Sequence, residues 1–342
     1  MTDELMTPPH RGDDPREALQ EALHEIKRVI VGQDAMLERL LVSLLAGGHV
    51  LLEGVPGLAK TLTVKTAAQV LGGTFNRIQF TPDLVPSDLV GTRVYRPQTG
   101  GFDIELGPVF ANFLLADEIN RAPAKVQSAL LEVMQERQVT IAGTTHYVPR
   151  PFIVLATQNP IESEGTYPLP EAQVDRFLMK ILVDYPSPGE EAAVVGRSLG
   201  GVADVRELLS LDELARHAAA AQNVLVDRDV IEYAVTLTDA TRNPSRHGLQ
   251  DLERLVEFGA SPRGPIGLVH AARALAMLRG RGYVNAGDVR DLAPDVLRHR
   301  LVLSYDALSE GVTADEILTR VLGTVPEPED RYLHRSTTRS AA

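Results

Sequence analysis

The chain has 342 residues, 44 % hydrophobic and 23 % charged, which suits about two domains of ordinary size and excludes global disorder. Its 46 acidic and 34 basic residues give a net charge of −12, which argues against a surface built to wrap nucleic acid. The chain has no cysteine, so a disulfide framework, a thiolate metal site and a thiol nucleophile are excluded. The longest apolar stretches, such as residues 40–46, fall far short of the ~18 residues needed to span a bilayer. The acidic opening segment predicts no secretory leader, so the expected setting is soluble and cytoplasmic.

Residues 1–14 carry Pro, Gly and charge without periodicity and are expected to be disordered. A helix start follows, with Asp14 as N-cap, Pro15 in the first turn and Glu17 closing a capping box. Ala18, Leu19, Ala22, Leu23, Ile26 and Val29 then recur at helical spacing. A second helix over 35–46 stops at Gly47-Gly48. Strands are expected at 50–52, 75–80, 113–116, 152–157 and 179–183, with helices over 60–71 and 127–138. Short apolar runs alternating with helices predict an α/β fold whose parallel sheet is covered on both faces. Two hairpins interrupt that rhythm, one over 93–105 and one over 139–148, and are expected to project from the domain.

The Pro- and Gly-bearing stretch 184–189 marks the expected boundary between a core over 15–187 and a helical domain over 188–323. Beyond it no strand is predicted, and capping pairs recur at Ser187 and Glu190, Ser210 and Glu213, Asn285 and Asp288, and Thr313 and Glu316. The nine histidines show no metal-ligand spacing, and Arg298-His299-Arg300 reads as a solvated helix face. Residues 324–342 are expected to be a flexible tail.

Chemistry concentrates at the ends of three predicted strands. Gly54-Val55-Pro56-Gly57-Leu58-Ala59-Lys60-Thr61-Leu62 follows a strand and opens a helix, the setting that a phosphate-binding loop requires. Backbone N–H groups there would cradle phosphates at a helix N-terminus. Lys60 would reach the β- and γ-phosphates, and the Thr61 hydroxyl would hold Mg²⁺. Ala59 stands where such loops usually carry a second glycine. In Phe113-Leu114-Leu115-Ala116-Asp117-Glu118 an apolar strand ends in two carboxylates, which is costly unless they serve a cation or a reaction. Asp117 is placed for the Mg²⁺ shell and Glu118 to deprotonate an attacking water. The strand at 152–157 delivers Asn159 to the same sheet edge, where it could position that water or the γ-phosphate.

The order of these segments resembles the MoxR family of AAA+ ATPases. GVPGLAKT is similar to its Walker A loop, FLLADEINRAP (113–123) to its Walker B segment, and ATQNPIESEGTYPLPEAQVDRF (156–177) to its sensor-one region. ASPRGPIGLVHAARALAMLRGRGYV (260–284) resembles its lid helix, and the likeness spans about residues 15–323. The resemblance implies a P-loop NTPase core with inserted hairpins and a helical lid. It implies that Arg263, with Ser261 as N-cap before it, senses the γ-phosphate. Arg176 would be an arginine finger offered to a neighbouring subunit, with Arg121 a second candidate. Val31 and Gly32 would lie where related ATPases hold adenine.

Also implied are ATP and Mg²⁺ as ligands, a homo-oligomer in the form of a hexameric ring, and a protein client, in some relatives one with a von Willebrand factor A domain. The hairpins would face a pore or a partner through Tyr95, Phe102, His146 and Tyr147. Two rivals stand beside this reading: a DNA-remodelling motor, disfavoured by the acidic charge, and an ATP-binding switch with little turnover.

Overall fold

Alternate residues of the central strands feed two different hydrophobic cores, and this sets the architecture. A computed structural model describes residues 15–55, 57–98, 100–158, 166–200 and 204–329. Helices α1 (Pro15–Lys27) and α2 (Asp34–Leu45) precede β1 (Val50–Glu53), and α3 (Lys60–Val70) leads to β2 (Phe75–Gln79). A short α4 (Pro86–Val90) introduces the hairpin of β3 (Gly91–Arg96) and β4 (Gly101–Leu106). Then come β5 (Phe113–Asp117), α5 (Ala124–Glu136) and a second hairpin, β6 (Gln138–Ile141) with β7 (Thr144–Tyr147). β8 (Ile153–Gln158), α6 (Glu171–Val174) and β9 (Met179–Leu182) complete the sheet.

Among the described residues the sheet runs β2-β5-β8-β1-β9, and every neighbouring pair is parallel. Leu52 lies opposite Thr157 and Ala116 opposite Ala156, so β1, β5 and β8 end side by side. Ligands of open α/β sheets bind along that edge. Val50, Leu52, Phe113, Leu115, Ile153 and Leu155 point into one core, shared with α1 and α2. Leu51, Leu114, Ala116, Val154 and Ala156 point into the other, beneath α5.

The rest of the chain is mainly helical: α7 (Pro188–Gly200), α8 (Leu211–Gln222), α9 (Arg228–Arg242), α10 (Arg263–Leu278), α11 (Ala286–Leu297), α12 (Tyr305–Glu310) and α13 (Ala314–Thr324). Ser210, Asn285 and Thr313 each form a full capping box with the acidic residue three positions on, worth about 1 kcal/mol apiece. The first core continues without a break into α8, α9, α10, α11 and α13. The cap expected at Asp14 lies outside the described residues.

Two expectations are corrected here. The strand-free region contains a two-stranded antiparallel ribbon, β10 (Val256–Phe258) with β11 (Val302–Leu303). Its strands are too short to show periodicity. Arg298-His299-Arg300 is not a solvated face, for the Arg300 side chain is only 3 % exposed. It donates to the carbonyls of Phe177 (2.7 Å) and Leu178 (3.2 Å), while Arg298 donates to Lys180 O (2.6 Å) and pairs with Asp295 and Asp315. Carbonyls left open around β9 thus satisfy guanidiniums that would otherwise need water.

His49, at the start of β1, is buried beneath the sheet. Its Nδ1 accepts from Val154 N (3.0 Å) and its Nε2 faces Met134 O (3.1 Å), so the proton sits on Nε2. Burial pushes its pKa down to about 4. The unfolded chain therefore takes up this proton first, at about pH 6.5. The stability His49 contributes is complete above that pH and is lost as pH falls toward 4, by roughly 3 kcal/mol in all. In urea titrations the advantage of the wild type over His49→Gln should narrow across that window.

Candidate active site

β1 delivers the chain into the loop of residues 54–59. A side chain on Gly54 would place its Cβ 2.5 Å from Val183 O, and Gly57 sits at φ +88°, so both positions demand glycine. Ala59 caps α3 at φ +54°, in the left-handed region. That conformation costs a non-glycine residue roughly 1 kcal/mol, and it explains why loops of this type favour glycine there. Lys60 opens α3 and its Nζ donates to Gly54 O at 2.5 Å. Burial pushes this ammonium below its ordinary pKa, while Asp117, Glu118 and Glu53 pull it back up. Pro56 lies outside the described residues.

β5 ends at Asp117, whose two oxygens are engaged separately. Oδ1 accepts from Thr157 Oγ1 (2.6 Å), and Oδ2 accepts from Arg77 Nη2 (2.6 Å) and Nε (3.1 Å). Glu118 takes a left-handed conformation at φ +55°, and its N–H donates to the same Thr157 hydroxyl (2.8 Å). Thr157 therefore uses its one donor on Asp117 and a lone pair on Glu118, fixing both to β8. The Glu118 carboxylate accepts from Gln79 Nε2 (2.7 Å) and pairs with Arg121 Nη1 (2.9 Å). Arg121 is thus a partner of Glu118 within its own chain.

A cavity of about 440 Å³ lies over these groups, within the range of small-molecule sites. It is lined by Gly54, Gly57, Leu58, Ala59, Lys60, Thr61 and Leu62 from the loop and α3, and by Asp117 and Glu118. Arg77, Gln79, Thr157 and Gln158 line it as well. Sequence reasoning gave none of these four a role. The alternation of polar Arg77 and Gln79 about the buried Ile78 of β2 was the available signal for two of them.

Val55, Val31 and Gly32 are not among the lining residues. Gly32 turns at φ +65° between α1 and α2, and a Cβ there would meet the Glu190 carboxylate of α7. Asn159 lies outside the described residues.

Arg176 and Arg263 stand outside the cavity lining too. Arg176 Nε is buried without a hydrogen-bond partner, and Arg176 forms no ion pair among the described residues. Arg263 is the first residue of α10, one position later than expected, with Pro262 at the cap. Ser261 Oγ still accepts from Arg263 N (3.1 Å), as a cap would. Arg263 Nη1 lies 3.5 Å from Asp175 Oδ2.

No group of three acidic or histidine side chains able to hold a metal ion exists among the described residues. The site offers the oxygens of Thr61 and Asp117 instead. That donor set fits Mg²⁺, which keeps several waters and binds through one or two protein oxygens plus the substrate's phosphates.

Residues 49–179 match the family described as "ATPase family associated with various cellular activities (AAA)", and residues 250–321 match the AAA lid domain. The chain is 58 % identical to Chaperone MoxR1 of Mycobacterium tuberculosis over 311 residues, 91 % of this chain and 82 % of that protein. It is 43 % identical to the uncharacterized protein YeaC of Bacillus subtilis, over 93 % of this chain and 98 % of that one. The crystal structure of a putative ATPase from Cytophaga hutchinsonii superposes with a TM-score of 0.88 at 46 % identity, covering 92 % of this chain and 96 % of its own.

Proposed function

The chain belongs to the MoxR family of AAA+ ATPases, and we propose that it hydrolyses ATP, with Mg²⁺, to remodel or mature a protein partner. The observation that carries this reading is the single cavity onto which Lys60, Thr61, Asp117 and Glu118 all open. In this reading the triphosphate lies along the loop, and Lys60 exchanges the Gly54 carbonyl for the β- and γ-phosphates. Thr61 and Asp117 would hold Mg²⁺, which when bound spreads the charge of the phosphate oxygens. Glu118 accepts the proton of a water attacking the γ-phosphorus in line with the leaving oxygen. To do so its carboxylate turns from Gln79 and Arg121 toward that water. Asn159 would orient the same water. Arg263 and Arg176 compensate the developing charge, Arg263 from the lid and Arg176 from the next subunit of a ring.

A finger acting between subunits makes the chain a homo-oligomer, with a hexamer as the proposed form. The partner is a protein rather than nucleic acid, in keeping with the net charge of −12 and with the name Chaperone MoxR1 carried by a relative. A von Willebrand factor A domain is the proposed kind of client. The hairpins support a protein contact: Tyr95, Phe102 and Tyr147 are exposed, and Arg93 stacks 4.1 Å over Phe102. His146 instead packs edge-on against Phe110. No helix among the described residues is long and apolar enough to cross a membrane; a cytoplasmic setting is part of the proposal.

Phosphate release from ATP, with and without Mg²⁺, tests the activity. Lys60→Ala should weaken ATP binding about 10- to 100-fold, since a charge-assisted bond to phosphate is lost. Binding by this variant as tight as that of the wild type would overturn the assignment of the loop.

A further inference from the structure

Asp175 gathers three side chains from the lid. It follows α6 in the sheet-bearing half, one residue before Arg176. Both of its oxygens accept from Ser261 Oγ (3.0 and 2.9 Å), Oδ1 lies 2.9 Å from Arg300 Nε, and Oδ2 lies 3.5 Å from Arg263 Nη1. The arginine contacts are unequal. Arg300 is buried and anchored by main-chain carbonyls, and its Nε lies 2.9 Å from Asp175 Oδ1. Arg263 is 48 % exposed, and 3.5 Å is the outer limit of a hydrogen bond.

Charge is unbalanced at this joint. Arg263 and Arg300 share one carboxylate, and Arg176 beside it forms no ion pair among the described residues. Arg263 also opens a helix, where the backbone dipole disfavours a cation and favours an anion. Of the groups at the joint, Arg263 is the one free enough to move to an added anion.

We propose that Asp175 is a positioning residue that holds Arg263 in reserve and competes for it with the terminal phosphate of a nucleoside triphosphate. When Arg263 transfers to that phosphate, Asp175 keeps Ser261 and Arg300 but loses a counter-charge. The segment carrying Arg176 is thereby told whether its own subunit holds a triphosphate or a diphosphate. This deepens the proposed ATPase reading and rests on it.

The test is a double-mutant cycle read by equilibrium binding of ATPγS and ADP. Asp175→Asn should tighten ATPγS binding about 3- to 10-fold and leave ADP binding unchanged, because only the triphosphate competes for Arg263. In an Arg263→Gln background the same substitution should change neither. A simple structural clasp predicts the opposite: both nucleotides weaken together, and the two substitutions add independently.

A measurement on the native side chains guards against misfolding of the Asn variant. In the wild type, amide exchange over residues 171–178 should be faster with ATPγS than with ADP, and Arg263→Gln should erase the difference. Equal exchange with both nucleotides overturns the proposal. If the wild type binds neither nucleotide, the ATPase reading falls and this one with it; binding of both with additive substitutions sinks this one alone.

Discussion

Glu118→Gln should lower turnover about 10²- to 10⁴-fold, the usual worth of a general base, while ATP remains bound. The amide is nearly isosteric with the carboxylate, and the Glu118 N–H bond to Thr157 is untouched by the change. Lys60, Thr61 and the loop amides keep their places, so the binding half of the site survives. What disappears is the one group of the cavity placed to receive a proton without also being committed to Thr157 and Arg77, as Asp117 is. Single-turnover measurements with labelled ATP separate the two halves of the claim. Prompt release of ADP by the variant would refute the role given to Glu118, as would turnover within a few-fold of the wild type.

Loss of Arg176 should be at least as severe. Arginine fingers contribute about 10³- to 10⁵-fold in rate, and Arg176→Ala should fall by that order with little change in ATP affinity. Complementation supplies the decisive arm. Arg176→Ala subunits retain an intact loop, and Lys60→Ala subunits retain an intact finger, so mixtures should recover part of the activity that each lacks. Arg121 gives the contrast, because its guanidinium is paired with Glu118 of its own chain at 2.9 Å. An Arg121→Ala defect should not be relieved by Lys60→Ala subunits. Absence of recovery with Arg176→Ala at every mixing ratio would assign that residue to its own subunit.

Much of the framework was legible because local signals agreed with one another. The run Val50, Leu51, Leu52 is apolar at every position, which is what a strand needs when alternate residues enter opposite cores. The glycines at 54 and 57 and the Lys-Thr pair then mark where that strand gives way to α3. The four capping pairs expected beyond residue 184 all close reciprocally, since a Ser, Thr or Asn with an acid three residues later satisfies two donors by purely local means.

What stayed hidden depends on distant partners. Arg300 looks like any charged helical residue until β9 arrives with unpaired carbonyls at Phe177 and Leu178. Gln79 belongs to the site only because β2 lies beside β5 in the sheet, which puts its amide on the Glu118 carboxylate. The ribbon of β10 and β11 joins residues more than forty positions apart over strands of three and two residues, too little pattern to read in advance.

The uninterrupted core that runs from the sheet into α8, α9, α10, α11 and α13 has a thermodynamic meaning. Neither half can shed the other without baring buried leucines, so the sheet and lid should melt as one cooperative unit. A ligand held at the sheet edge then stabilises helices that it does not touch. At a hundred times its dissociation constant it would add about 2.7 kcal/mol to the whole. A shared core of this kind favours slides along packed surfaces over hinge opening between the halves.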